Sequence, residues 1–174
     1  MKYDPEIHCR RSIRLQGYDY SNQCAYFVTI CTWNRRNILG NVLNSVMQLT
    51  RFGEIAMTCC QDLPDHYKNI ELDEFVIMPN HLHGIIWING YIAGSGFKPA
   101  PHDKGHGLSE IVRALKTFSS RLINKDRKTP GTPVWQRSYF DRIIRNETEL
   151  YNIREYIRNN PLQWELDENN PVNW

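Results

Sequence analysis

Residues 70–88, IELDEFVIMPNHLHGIIWI, constrain this chain more than any other stretch. Two β-rich runs, Ile70 to Met78 and His83 to Ile88, are separated only by a tight connection around Pro79 and Asn80. A connection that short predicts an antiparallel hairpin. The remaining elements must then cover or extend that sheet. Ala25 to Cys31 (AYFVTIC) reads as a strand ahead of the polar Asn34-Arg35-Arg36 turn. Between Val42 and Cys60, apolar residues at Val42, Val46, Leu49, Ile55 and Met57 predict a helix over the first part. Gly53 leaves open whether that helix runs on or gives way to another element. Asn89 to Gly107 is a glycine- and proline-rich loop.

Leu108 to Lys125 repeats apolar residues with a 3.6-residue period, which predicts a long helix. Asp126 to Pro133 is a polar loop, and Val134 to Ile144 has room for a short edge strand. A last helix starts near Asn146, with Asn146 as cap and Glu149 at the third helical position. Leu150, Ile153 and Ile157 face the core, and Pro161 ends the helix. The order β-α-β-β-α-(β)-α predicts an α+β fold: a ferredoxin-like antiparallel sheet with helices on one face. The 174 residues are read as one domain, with a basic arm over about 1–20 and a polar tail over about 162–174.

The net charge is only +2, but its distribution is uneven. Ten Lys or Arg residues lie between Lys104 and Arg145 against three acids, Glu110, Asp126 and Asp141. Such a face suits a polyanion, or is merely a solvated basic surface. The five cysteines are odd in number and lack C-x-x-C spacing, so reduced thiols are expected. The apolar stretches fall far short of a membrane span, and the expectation is a soluble cytoplasmic protein.

His81 and His83 alternate with Leu82 at the hairpin. Residues two apart on a strand project to the same face, so the two imidazoles can share a metal ion. The alternatives are two unrelated packing histidines or part of a zinc hydrolase site. Tyr156 and Asn160, four apart on the last helix, share a face one turn apart. Tyr156 can present a phenolic nucleophile to a metal-held phosphate, and Asn160 an amide oxygen to the metal. Alternatively, Tyr156 is a core-edge residue and Asn160 a helix cap. Tyr151 and Tyr139 are rival tyrosines.

Five segments together resemble the IS200/IS605-like tyrosine transposases, and most closely the REP-associated tyrosine transposases. They are RRSIRLQGYDY from Arg10, AYFVTICTWNR from Ala25, FVIMPNHLHGIIWI from Phe75, GLSEIVRALKTFSSRLI from Gly107 and VWQRSYFDRIIRNETELYNIREYIRNNPLQW from Val134. The resemblance implies a histidine–hydrophobic–histidine nuclease that cuts and rejoins single-stranded DNA beside hairpins through a 5′-phosphotyrosine. In that reading His81, His83 and Asn160 hold Mg2+ or Mn2+, and Tyr156, on the C-terminal helix, is the nucleophile. Asn160 stands where some relatives have glutamine. The expected partner is single-stranded DNA with a hairpin, and the protein acts as a monomer or a homodimer. Arg10, Arg11, Arg14, Arg113, Lys116, Arg137, Arg142 and Arg145 are the expected backbone contacts. Trp87, Trp135, Phe140 and Tyr139 offer stacking surfaces. The competing functions are a noncatalytic hairpin-binding module and a rolling-circle initiator or relaxase-like nickase.

Overall fold

The structure is a computed structural model, and it describes Asp19 and residues 23–89 and 106–173. Among the described residues, six strands and four α-helices follow in the order β1 (Cys24–Cys31), β2 (Gly40–Leu43), β3 (Val46–Leu49), α1 (Arg51–Gln61), α2 (Leu63–His66), β4 (Ile70–Ile77), β5 (His81–Ile88), α3 (Leu108–Asp126), β6 (Phe140–Ile144) and α4 (Glu147–Asn159). The main sheet has the order β4-β5-β1-β6, and every neighbouring pair is antiparallel. The predicted hairpin is β4–β5, and its second strand already starts at His81. The fold is therefore mixed α+β around an antiparallel sheet.

Both faces of the central strands are apolar, and each is covered. On one face Tyr26, Val28 and Ile30 of β1 and Leu82, Ile86 and Ile88 of β5 meet Ala56 and Cys60 of α1 and Ile111, Val112, Leu115 and Ile123 of α3. On the other, Ala25, Phe27 and Ile85 meet Leu150 and Ile157 of α4. Helices on one face thus describe α1 and α3 only. The alternation of β1 and β5 exposes a second apolar row, and burying it requires α4 on the opposite side. His81 and His83 share the strand parity of Ile85, so they lie beneath α4.

The helix expected in the first part of Val42 to Cys60 is instead a two-stranded hairpin, β2–β3. Asn44 and Ser45 at its tip have φ of 51° and 61°, the left-handed pair that a two-residue hairpin turn requires. Val42, Val46 and Leu49 have helical spacing by coincidence. The helix begins only at Arg51, capped by the Thr50 hydroxyl, which accepts from the Gly53 N–H at 3.3 Å. Gly53 lies inside α1 because the chain passes there: a Cβ would stand 2.0 Å from the Leu39 carbonyl oxygen. The Arg10, Arg11 and Arg14 arm, Cys9 and most of the 89–107 loop lie outside the described residues. Cys24, Cys31, Cys59 and Cys60 are free thiols. Among the described residues, no helix is long and apolar enough to cross a membrane.

Candidate metal centre and tyrosine cleft

His81 and His83 are 0% and 2% exposed, and their Nε2 atoms face each other at 3.0 Å. Asn80 sets the first ring. Its Nδ2 donates to the main-chain carbonyls of Arg35 (3.1 Å) and Asn169 (2.7 Å), so its Oδ1 is the acceptor turned to His81 Nδ1 at 2.9 Å. His81 must donate there. Its Nδ1 carries the proton and its Nε2 keeps the lone pair, aimed at the shared centre. Thr29, the β1 residue opposite His83, holds His83 Nδ1 at 2.8 Å through its hydroxyl. Burial, and then the neighbouring Arg35, pushes His81 down to about 3. Burial, and then His81 itself, does the same to His83, against a smaller opposing pull from Asp167. Both rings are therefore neutral near pH 7, as ligands must be.

The Asn146 side chain accepts the Glu149 N–H at 2.8 Å and starts α4, as its spacing predicts. Leu150 and Ile157 anchor α4 to the sheet, which turns Tyr156 and Asn160 to the histidines. Tyr156 Oη lies 3.2 Å from His83 Nε2, and the phenol ring meets the edges of His83 and Phe27 with centroids 5.2 Å and 6.1 Å away. Tyr156 remains 40% exposed, at the wall of a cleft of about 390 Å³ that also includes Thr29, Arg35 and Phe140. Burial raises its phenol above the ordinary value, Asp167 adds to that, and the Asn160 amide pulls the other way.

Asn160 is 1% exposed, its Nδ2 donates to Asp167 Oδ2 at 3.4 Å, and its Oδ1 is buried with no partner. Asp167 is the residue that sequence reasoning missed. Its carboxylate and the two imidazoles form a His/His/Asp cluster whose donor atoms lie within 4.8 Å of one another. It arrives on the polar tail, which is folded by its own asparagines. Asn170 Nδ2 donates to the Trp164 carbonyl, Asn173 Nδ2 to those of Glu165 and Asp167, and Asn80 holds Asn169. The buried Trp164 indole lies over His81, centroids 6.0 Å apart. The run Asp167-Glu168-Asn169-Asn170 carried the only signal, a group of turn-forming side chains.

This donor set fits a divalent cation. Two neutral imidazole nitrogens and a carboxylate oxygen lie within 4.8 Å of one another, and Asn160, whose Oδ1 is orphaned, touches that carboxylate through its Nδ2. The two Nε2 atoms, 3.0 Å apart, are close enough to bind a single ion.

The basic residues separate into groups. Arg142 is paired with Glu149, and Lys116 Nζ donates to the main-chain carbonyls of Gln136 (3.0 Å) and Ser138 (2.9 Å), so neither projects freely. Arg113, Arg137 and Arg145 are exposed. Trp87 donates its indole N–H to Asp73 and Trp135 to Ser119, so both belong to the packing rather than to a stacking surface. Phe140 is exposed and meets Phe27 edge-on at the cleft. Tyr151 points to solvent, and Tyr139 lines the cleft.

The family model described as "Transposase IS200 like" matches residues 101–160, a stretch that contains Tyr156 and Asn160 but not the histidine pair. A Haemophilus influenzae protein described only as uncharacterized is 39% identical over 173 residues, covering 96% of each chain. The solved structure of a REP-associated tyrosine transposase bound to a REP hairpin superposes with a TM-score of 0.60 at 18% identity, covering 89% of this chain and 77% of that one. A Deinococcus radiodurans protein described as a putative transposase reaches a TM-score of 0.49 at 21% identity, covering 84% of this chain and 95% of that one. The chain thus carries an IS200-like transposase segment over residues 101–160 and shares the fold of a REP-associated tyrosine transposase.

Proposed function

We propose that this protein is a metal-dependent enzyme that cuts and rejoins single-stranded DNA beside hairpins, with Tyr156 as nucleophile. The observation that carries the reading is the meeting of a half-exposed phenol with a buried ligand set: Tyr156 Oη stands 3.2 Å from His83 Nε2. His81, His83 and Asp167 would hold the ion, with the orphaned Asn160 Oδ1 as a further oxygen donor. Mixed nitrogen and oxygen donors favour Mn2+ over Mg2+. When bound, the ion supplies positive charge to the scissile phosphate and to the developing phenolate. The strand order with its helical crossovers is read as the ferredoxin-like arrangement, with the nucleophile helix on its second face.

The chain's own groups do the rest. Asn80 and Thr29 hold the imidazoles with their lone pairs in place. Asp167 raises the phenol while it is an uncompensated anion, so neutralising it favours Tyr156 ionisation. The phenolate oxygen attacks phosphorus, the bond to the 3′-oxygen breaks, and that oxygen takes up a proton to leave as a hydroxyl. The phosphate stays on Tyr156 as a 5′-phosphotyrosine. Attack by a 3′-hydroxyl reverses the step and rejoins DNA without a nucleotide cofactor. A protein that nicks in the cytoplasm at chromosomal hairpins is the setting this chemistry suits.

The test is a hairpin oligonucleotide with a single-stranded flank, incubated with Mn2+. A denaturation-resistant protein–DNA adduct is expected, lost in Tyr156→Phe and in His81→Ala. An adduct at the normal level in Tyr156→Phe refutes the assignment of the nucleophile. Salt-sensitive binding with no adduct on any flanked hairpin favours a noncatalytic binding module instead.

A further inference from the structure

A second groove lies away from the histidines. It runs between α3 and residues 131–137 and encloses about 630 Å³. Its lining includes Arg113, Lys116, Arg121 and Arg137, and no aspartate or glutamate. Arg113, Thr117, Ser120, Arg121 and Asn124 follow helical spacing, so they form one polar stripe along α3. Arg113, Arg121 and Arg137 are exposed and form no ion pair among the described residues. Beside α4, by contrast, Arg142 is paired with Glu149, Arg154 with Asp73 and Arg158 with Glu74. The groove thus brings together three arginines without an ion pair among the described residues, on a chain of net charge only +2.

The groove also leads to the cleft, because Gln136 and Tyr139 line both. The shared wall is held by Lys116, whose ammonium donates to the carbonyls of Gln136, Arg137 and Ser138 and stands 5.4 Å above the Tyr139 ring. Lys116 is a positioning residue for that wall, and Arg137 is presented by it.

We propose that this groove seats the sugar–phosphate backbone of one DNA strand as it enters the Tyr156 cleft, with Arg113, Arg121 and Arg137 on separate phosphates. The inference rests on the function proposed above and adds the path of the strand. The partner is a single strand because the groove shares Gln136 and Tyr139 with the cleft where one strand is cut. Arg113 and Arg121 are eight residues apart on α3, about 12 Å along the axis, so they contact separate phosphates.

The test compares two DNAs by fluorescence anisotropy: a blunt hairpin, and the same hairpin with a six-nucleotide flank. The probe protein is Arg113→Glu/Arg121→Glu. A control, Lys68→Glu/Lys125→Glu, makes the same charge change at exposed positions outside the groove. The groove variant is expected to lose at least about tenfold in affinity for the flanked hairpin and to bind the blunt one as the control does. Its salt slope on the flanked DNA should fall by about 0.7 for each lost phosphate contact, about 1.4 in all. Equal losses on both DNAs, or a groove variant indistinguishable from the control, overturns the proposal. Wild-type protein that prefers the flank but never forms an adduct counts against the catalytic reading while the groove assignment stands.

Discussion

Replacing Asn80 tests the site through a residue that touches neither DNA nor metal. Asn80 is fully buried and makes hydrogen bonds to Arg35, Asn169 and His81. Asn80→Ala leaves two main-chain carbonyls without this donor and the His81 Nδ1–H without its acceptor. At about 1–3 kcal/mol for each buried group left unsatisfied, with partial relief by water, the expected loss is about 3–5 kcal/mol of stability. The loss of orientation is separate. Without its acceptor the His81 ring is free to change tautomer or rotate, and metal affinity should fall about 10–100-fold. Asn80→Asp separates the two effects. Its carboxylate still accepts from His81, but the amide nitrogen that donated twice becomes one anionic oxygen facing two carbonyl oxygens. It should therefore be destabilised like Asn80→Ala while keeping most of its Mn2+ affinity. The assay is Mn2+ titration followed by electron paramagnetic resonance in the cold, with urea unfolding in parallel. Mn2+ affinity of Asn80→Ala within twofold of wild type refutes the orientation argument, as do equal losses of Mn2+ affinity in the two variants.

The other expectations concern separate parts of the structure. Asp167→Asn should weaken Mn2+ binding about tenfold or more, by loss of the anionic donor beside the histidines; unchanged affinity removes Asp167 from the ligand set. Gly53→Ala adds a Cβ that meets the Leu39 carbonyl at 2.0 Å. Calorimetry should show a loss of about 1–3 kcal/mol despite the better helix propensity of alanine. Burial alone would raise the Asp73 carboxyl, but Arg154, the Trp87 N–H and the Glu74 N–H together hold it down at about 2, against an ordinary value of 3.8. The folded state therefore binds this proton less readily than the unfolded chain, and the stabilisation is complete above about pH 4 and lost as pH falls through about 2. Asp73→Asn should be less stable at pH 7 and show a flatter acid limb in urea unfolding; an unchanged acid limb rules this pair out as a source of it.

Much of the fold was legible because it is local. The β4–β5 hairpin follows from a short connection between β-rich runs, α3 from its 3.6-residue period, and the start of α4 from Asn146 with Glu149. The common face of His81 and His83, and that of Tyr156 and Asn160, are consequences of strand and helix periodicity alone. Where local signals were ambiguous the reading failed. Val42, Val46 and Leu49 satisfy a helical pattern equally well, and the left-handed Asn44-Ser45 turn is what makes them a hairpin.

Long-range contacts decided the rest. That α4 covers the sheet face carrying the histidines depends on a second apolar row, Ala25, Phe27 and Ile85, which one strand viewed alone does not assign to any partner. Asp167 lies 84 residues beyond His83 in sequence, in a tail whose composition matches any solvated terminus. It reaches the imidazoles because Asn80 binds the Asn169 carbonyl and Trp164 packs over His81. Lys116 and Arg142 are expected DNA contacts by their charge, yet main-chain carbonyls some twenty residues on engage Lys116 and the Glu149 carboxylate engages Arg142. Periodicity is a property of neighbours and survives in one dimension. Charge pairing, ligand convergence and the choice of which face a helix covers depend on distances that exist only once the chain has closed on itself.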